Sequence, residues 1–360
     1  MSIGVSRGEM LGRQVLAGDR RALARLLTII ENEKAGAEEA LTLLYPHTGR
    51  ARIIGITGAP GTGKSTLASA LTRALRARGM RVAILAVDPS SPFTGGAILG
   101  DRIRMRDLAG DEGIFIRSMA TRGSLGGLAR ATRDAVRALD AAGFDTILIE
   151  TVGAGQNEVA IARAAQTTVV VEAPGLGDEV QAIKAGILEI ADVLVVNKAD
   201  RPGADHAVRA LRAMLDLGHP PTRERMTRHH GRLMPTAPVS TPSENGDPTL
   251  WIPPVVTTVA TEGAGIEALV AAIDAHQEHL QTTGTTLERE QIAIELQERL
   301  RERLLADLLA KLDDASIDVV IEQVRKRELD PARAIEALLI QAKAASDSEK
   351  PAALRDPINQ

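Results

Sequence analysis

Between residues 51 and 200, short apolar runs alternate with stretches at helical spacing, and this alternation leaves the chain very few folds to choose from. The runs span 53–57, 82–87, 114–117, 146–150, 168–172 and 193–197. Each is apolar on both faces, the pattern of parallel strands covered from above and below. Helical stretches at 64–78, 125–142, 178–190 and 204–216 intervene. Strand–helix–strand units of this kind connect with right-handed crossovers. The expected fold class is therefore α/β, a doubly wound, mostly parallel sheet. Ligands of such sheets bind at the carboxyl ends of the strands, so chemistry is sought in the residues that follow each run.

The flanks are helical. Leu11, Val15 and Leu16 share one face; after Asp19, a suitable N-cap, Leu23, Leu26, Leu27 and Ile30 continue at helical spacing. Residues 37–45 suggest a further short helix. Residues 219–250 break the pattern with prolines at 220, 221, 235, 238 and 242 and a basic cluster, and read as an irregular or mobile insertion. A strand at 255–259 and a helix at 264–280 follow. Helices are expected at 287–310, 316–326 and 331–345, then a loose tail.

Composition excludes several classes. The chain has 360 residues with no cysteine, so disulfides and thiolate metal sites are ruled out. A net charge of −4 and only five aromatic residues argue against a nucleic-acid partner. No apolar run is long enough to span a bilayer, and the N-terminus lacks the basic-then-apolar pattern of a signal peptide. A cytoplasmic protein that binds neither nucleic acid nor membrane is expected. Only eight of the 43 basic residues are lysines, which makes each lysine position informative.

The first run is followed by Gly58-Ala59-Pro60-Gly61-Thr62-Gly63-Lys64-Ser65 and then a helix beginning with Thr66 close to its start. This is G-x-x-x-x-G-K-[ST] in the strand–loop–helix setting that gives the motif its meaning. Its glycines let successive N–H groups curl around a phosphate, and the helix N-terminus adds a positive field. Lys64 is placed to reach the outer two phosphates and Ser65 to hold Mg²⁺.

The run at 193–197 ends in Asn197-Lys198-Ala199-Asp200. An aspartate there accepts hydrogen bonds from the ring N–H and exocyclic amine of guanine, neither of which adenine presents on that edge. Sites built on such bonds reject an analogue lacking them by roughly 10⁴–10⁵-fold. Lys198 is expected along the base or ribose, and Asn197 is expected to tie this loop to the phosphate loop. GTP/GDP is the nucleotide read from this pair of motifs.

Further carboxylates stand at strand ends. Glu150 leads into Thr151-Val152-Gly153, where most GTPases place aspartate, and Gly153 lets the backbone approach a γ-phosphate. Asp88 precedes Pro89-Ser90-Ser91-Pro92, and Asp101 lies in a glycine-flanked loop. With Ser65, the residues Asp88, Asp101 and Glu150 are hard-oxygen candidates for Mg²⁺; the lesser alternative for Asp101 is a helix N-cap. Gln156 is either the residue that orients the attacking water or a surface amide. Arg104 either contacts phosphate or a partner, or is a solvated helix arginine. The candidate catalytic set is Lys64, Glu150, Asp101, Gln156 and Arg104.

Together the phosphate loop, Val87-Asp88-Pro89-Ser90-Ser91-Pro92, Leu99-Gly100-Asp101, Glu150-Thr151-Val152-Gly153-Ala154-Gly155-Gln156 and Asn197-Lys198-Ala199-Asp200 resemble the MeaB/ArgK family of P-loop GTPases. These proteins chaperone adenosylcobalamin-dependent acyl-CoA mutases, chiefly methylmalonyl-CoA mutase. The resemblance covers about residues 10–310 and includes Gly18-Asp19-Arg20-Arg21-Ala22-Leu23-Ala24-Arg25. It implies a homodimer joined through C-terminal helices, gating of cobalamin loading, and GTP hydrolysis that is slow until the mutase binds. It also implies that Asp178 and Lys184, within the segment 175–186, relay nucleotide state to the partner. The residues alone read that segment as a helix start with an acidic pair. Glu172 stands where relatives carry an apolar residue, and the 219–250 insertion is long for the family. Both departures bear on which mutase is the partner, methylmalonyl-, hydroxyisobutyryl- or another acyl-CoA mutase.

The expected organisation is an N-terminal helical extension (1–48), a GTPase domain (49–282) carrying the insertion, a C-terminal dimerisation arm (283–345) and a tail (346–360). Two other classes share the motifs. A nickel-delivery GTPase would need metal ligands, and the one close histidine pair, His229-His230, reads as a solvated loop feature. A small-molecule kinase, including the arginine or ornithine transport kinase suggested by older names for the family, would transfer phosphate to an acceptor other than water; no residue set here supports it. The apolar positions of 287–310 (Leu287, Ile292, Ile294, Leu296, Leu300, Leu304, Leu305, Leu308) either meet a second copy or pack on the same subunit's sheet.

Overall fold

The structure, a computed structural model, describes residues 6–89, 105–108, 110–121, 125–151, 164–175, 190–217, 226–229, 232–235, 251–283 and 285–348. The chain divides into two compact units, residues 1–284 and 285–360.

The first unit opens with three helices, α1 (Arg7–Leu16), α2 (Arg20–Glu31) and α3 (Ala37–Leu44). Asp19 caps α2, accepting from the backbone N–H groups of Arg21 (2.8 Å) and Ala22 (3.1 Å), which satisfies donors that the first turn cannot pair internally. Leu11 and Val15 are buried, as their spacing predicts. Leu16 is 36% exposed, because it lies one residue, about 100°, beyond the buried stripe.

The sheet is built from β1 (Arg52–Thr57), β2 (Val82–Pro89), β3 (Ile114–Thr121), β4 (Thr146–Thr151), β5 (Thr167–Glu172), β6 (Val193–Asn197) and, after a separate hairpin, β9 (Val255–Thr258). Its order is β3-β2-β4-β1-β5-β6-β9, and every pairing is parallel. The helices are α4 (Lys64–Ala77), α5 (Leu125–Ala141), α6 (Ala204–Leu217) and α7 (Ile266–Thr283). The helix expected at 178–190 lies outside the described residues, apart from its last position. Helices α4 and α7 cover one face through Leu67, Leu71, Leu75, Leu269 and Ile273 against Ile54, Ile56, Val169 and Val195. The other face is covered by α5 and the three N-terminal helices, whose Leu23, Leu26 and Leu27 join Leu85, Ile147 and Ile149 in one core, and by Leu211 of α6 over Val170 and Val196. Burial on both faces explains why the inner strands read as continuous apolar runs.

Polar ties fix the edges of this arrangement. Asp140 of α5 accepts from the N–H groups of Gly49 (2.5 Å) and Ala51 (3.0 Å), anchoring the link from α3 into β1. Arg20 donates to the carbonyls of Glu112 and Ile114 at the start of the edge strand β3. Arg76 of α4 grips the Asp111 carboxylate with Nε and Nη2, both at 2.9 Å. At the strand-start pole Trp251 donates from Nε1 to the carbonyl of Asp192 (2.8 Å) and lies against the rings of His276 and His279, at 4.8 and 5.4 Å between centroids.

The insertion departs from the irregular coil expected of it. It contains an antiparallel pair, β7 (Met226–His229) and β8 (Arg232–Pro235), in the register His229↔Arg232. Pro235 occupies the last position of β8, a place where a residue without an N–H is tolerated. The period-2 signal was hidden because each strand is only four residues long.

The second unit contains α8 (Thr285–Leu309), α9 (Asp314–Arg325) and α10 (Pro331–Ser348). Asp313 caps α9 through the N–H of Ser316 (2.7 Å). Along α8 the side chains of Ile292, Ile294, Leu296, Leu300, Leu304 and Leu305 are exposed.

Candidate functional site

The site is assembled at the carboxyl ends of β1, β4 and β6. Strand β1 runs into Gly58, whose φ of +135° is open to glycine. A Cβ there would also stand 2.1 Å from the carbonyl oxygen of Val171 on β5, so the loop can leave the sheet at this point only as glycine. Gly63, at φ +93°, precedes α4 and supplies no capping side chain. The N–H groups of the first turn therefore face the loop rather than a local carboxylate or hydroxyl, the arrangement that suits an anion.

Lys64 is 7% exposed, and its Nζ donates to the carbonyls of Gly58 (2.7 Å) and Ala59 (3.1 Å). The ammonium is thus held across the loop it is meant to serve. Thr62 is buried and donates from Oγ1 to the Ala59 carbonyl (2.9 Å), closing the loop on itself. Pro60, Gly61 and Thr66 are exposed.

Ser65 Oγ donates to Glu150 Oε1 at 2.6 Å. Glu150 is the penultimate residue of β4 and is 1% exposed. A serine that gives its proton to a carboxylate keeps its lone pairs for a cation, and the carboxylate adds negative charge beside it. This donor set fits a hard, oxygen-seeking ion such as Mg²⁺. The longer reach of glutamate, in place of aspartate, brings the carboxylate to the serine.

Asn197 joins three elements. Its Nδ2 donates to the carbonyl of Thr62 in the phosphate loop (2.9 Å), and its Oδ1 accepts from Thr258 Oγ1 and the Ala260 N–H, both at 3.1 Å. Lys198 takes a left-handed conformation, φ +58°, which costs a non-glycine residue about 1–2 kcal/mol. That turn sends its Nζ to the carbonyl of Gly61, 2.5 Å away. Asp200 is exposed beyond the turn.

The structure therefore brings together the phosphate-loop residues, Ser65, Glu150, Asn197 and Lys198, with Asp200 at their rim. Asp101, Arg104, Gly153, Gln156, Asp178 and Lys184 lie outside the described residues. Asp88 is described only as a backbone position, opposite Ala120 in the β2–β3 register. Thr258 and Ala260 were not singled out from the sequence. The signal was available, since in a parallel sheet the residue beside a motif belongs to the end of the next strand, and Asn197 is in register with Thr258.

A parallel sheet that delivers a G-x-x-x-x-G-K-S loop from its central strand and N-K-A-D two strands away defines a P-loop protein of the GTPase class. Comparison with known proteins narrows this. The model of the family described as "Methylmalonyl Co-A mutase-associated GTPase MeaB" matches residues 23–313, and the chain belongs to that family. PH0274 of Pyrococcus horikoshii is 45% identical over 325 residues, 89% of this chain and 94% of that protein. GTPase ArgK of Escherichia coli K12 is 34% identical over 334 residues, 91% and 94% of the two chains. The crystal structure of a protein named LAO/AO transport system kinase superposes with a TM-score of 0.62 at 27% identity, covering 92% of this chain and 96% of that one.

Proposed function

We propose that this protein binds Mg·GTP, hydrolyses it slowly on its own, and acts as a G-protein chaperone that gates cobalamin loading into an adenosylcobalamin-dependent acyl-CoA mutase. The partner class is methylmalonyl-CoA mutase or a close relative. The observation that carries the nucleotide part is the Asn197 stitch. One side chain ties the loop that would hold the phosphates to the turn that would read the base, so the two half-sites are held at one fixed separation.

In this reading Lys64 and the inward N–H groups of the phosphate loop stabilise charge on the β- and γ-phosphates as water attacks in line. Ser65 and Glu150 hold Mg²⁺, aided by Asp88 and Asp101; the ion neutralises phosphate charge when bound. Asp200 accepts from guanine, Gln156 orients the water, Gly153 admits the γ-phosphate, and Arg104 contacts phosphate or the mutase. Asp178 and Lys184 pass the nucleotide state to the mutase, and the C-terminal helices hold two copies together. Family membership supports the mutase as partner, and no arginine finger stands at a diagnostic spacing, which supports slow turnover without it.

The test has two arms. Calorimetry with Mg·GTP and Mg·ATP should show binding of GTP alone; equal affinity for ATP overturns the base-reading role of Asp200. Pull-down of candidate acyl-CoA mutases in GDP and in a non-hydrolysable GTP analogue should retain one of them in a nucleotide-dependent way. Retention of none, together with phosphate transfer to a small acceptor, would turn the reading toward a kinase.

A further inference from the structure

Strands β1 and β4 are neighbours, and Ile56 lies opposite Glu150 in their register. The next residues along each strand, Thr57 and Thr151, leave the sheet side by side. Thr151 Oγ1 donates to Thr57 Oγ1 at 3.2 Å, and both residues are essentially buried, 0% and 1% exposed. Because side chains alternate along a strand, the pair stands on the face of Ile149 and Val87, opposite the face on which Glu150 meets Ser65. In sequence, Thr57 immediately precedes Gly58, whose carbonyl holds Lys64, and Thr151 immediately follows Glu150.

Folding alone does not call for two hydroxyls here. Valine matches threonine in branching and in strand preference, and replacing both partners of a buried hydrogen bond with apolar groups of the same shape is close to neutral or stabilising. What the hydroxyls add is a fixed tie between the exits of two strands, one bearing the phosphate loop and the other bearing Glu150.

We infer that Thr57 and Thr151 form a positioning pair that keeps the Glu150 carboxylate aligned with the phosphate loop during GTP turnover. The pair acts through the two residues beside it, Gly58 and Glu150. The inference rests on the reading of the site as a Mg·GTP hydrolase and adds to it Thr57, which precedes the phosphate-loop motif, and a role for Thr151, which that reading left without one.

Single-turnover and steady-state hydrolysis by full-length Thr57→Val, Thr151→Val and the double variant test it. A group displaced by a fraction of an ångström should cost less than the 10²-fold of a full ångström, so each single variant should lower kcat on the order of tenfold with KM for GTP and affinity for GDP within about twofold. Residues that act as a unit are not additive, so the double variant should be no slower than the slower single variant. Its Tm should equal or exceed that of the wild type, and Thr151→Ser should restore kcat. An unchanged kcat in Thr151→Val overturns the inference, as do additive losses in the double variant or losses that follow a falling Tm. Wild-type protein that neither binds nor hydrolyses GTP overturns instead the reading beneath it, and the inference with it.

Discussion

In the proposed reading Lys64 and Asp200 divide recognition of the nucleotide between them, and each can be removed separately. Lys64 is already desolvated and held by two carbonyls, so its ordering cost falls on folding rather than on binding. Lys64→Ala should weaken GTP binding on the order of tenfold to a hundredfold, the usual worth of hydrogen bonds to a charged group, as read by calorimetry. Unchanged affinity would remove the phosphate loop from the account. Asp200→Asn exchanges a pure acceptor for a group that also donates. Guanine, which donates twice on that edge, should lose at least about tenfold in affinity, while xanthine, which offers a carbonyl in place of the amine, should gain relative to it. Competition between the two triphosphates measures the exchange.

Strands, helices and turns differ in how openly the sequence displays them. The inner strands of the main sheet were legible because burial on both faces leaves an uninterrupted apolar run, and α2 was legible because Asp19 marks its start. The hairpin β7–β8 was not, since four-residue strands carry too few alternations to stand out among prolines and arginines. Within the site, residues inside named motifs were found, whereas Thr258 and the hydrogen bond that pairs Thr57 with Thr151 were not. Their roles arise from strands being neighbours in space, and a one-dimensional reading shows that order only once the sheet is built. The Arg76–Asp111 tie between α4 and the start of β3 belongs to the same group. Hydrogen bonds from Arg76, and then from the Gly113 N–H, hold the Asp111 carboxyl below the ordinary aspartate range. A carboxyl whose pKa is depressed in the folded state stabilises above its unfolded value and loses that contribution as pH falls through the folded one. Asp111→Asn should therefore lower the urea midpoint at pH 7, and the gap to wild type should shrink below about pH 4. A gap of constant size across that range would show that the charge contributes nothing.

At the scale of the whole molecule, the first unit carries the candidate nucleotide site and the second carries a charge-laced helix with an exposed apolar row. Leu296, Leu300 and Leu304 of α8 are each about 60% exposed, and covering this row with a second copy would contribute on the order of 5–10 kcal/mol before the cost of association. A homodimer built on these helices should give twice the chain mass in light scattering. Leu300→Glu combined with Leu304→Glu should give the monomer mass while leaving GTP affinity intact. A wild-type protein that remains monomeric at high micromolar concentration would separate this family's proposed assembly from this chain.

The position of Trp251 has a practical result for all such measurements. The chain's single indole sits where β6 begins, beside two imidazoles, at the end of the sheet remote from the phosphate loop. Its emission is therefore an optical gauge of that remote end, and a nucleotide docking at the far rim changes it only by moving the sheet as a body. A flat fluorescence trace during a GTP titration is therefore no sign of a vacant pocket, and affinities are better read from the ligand's own signal.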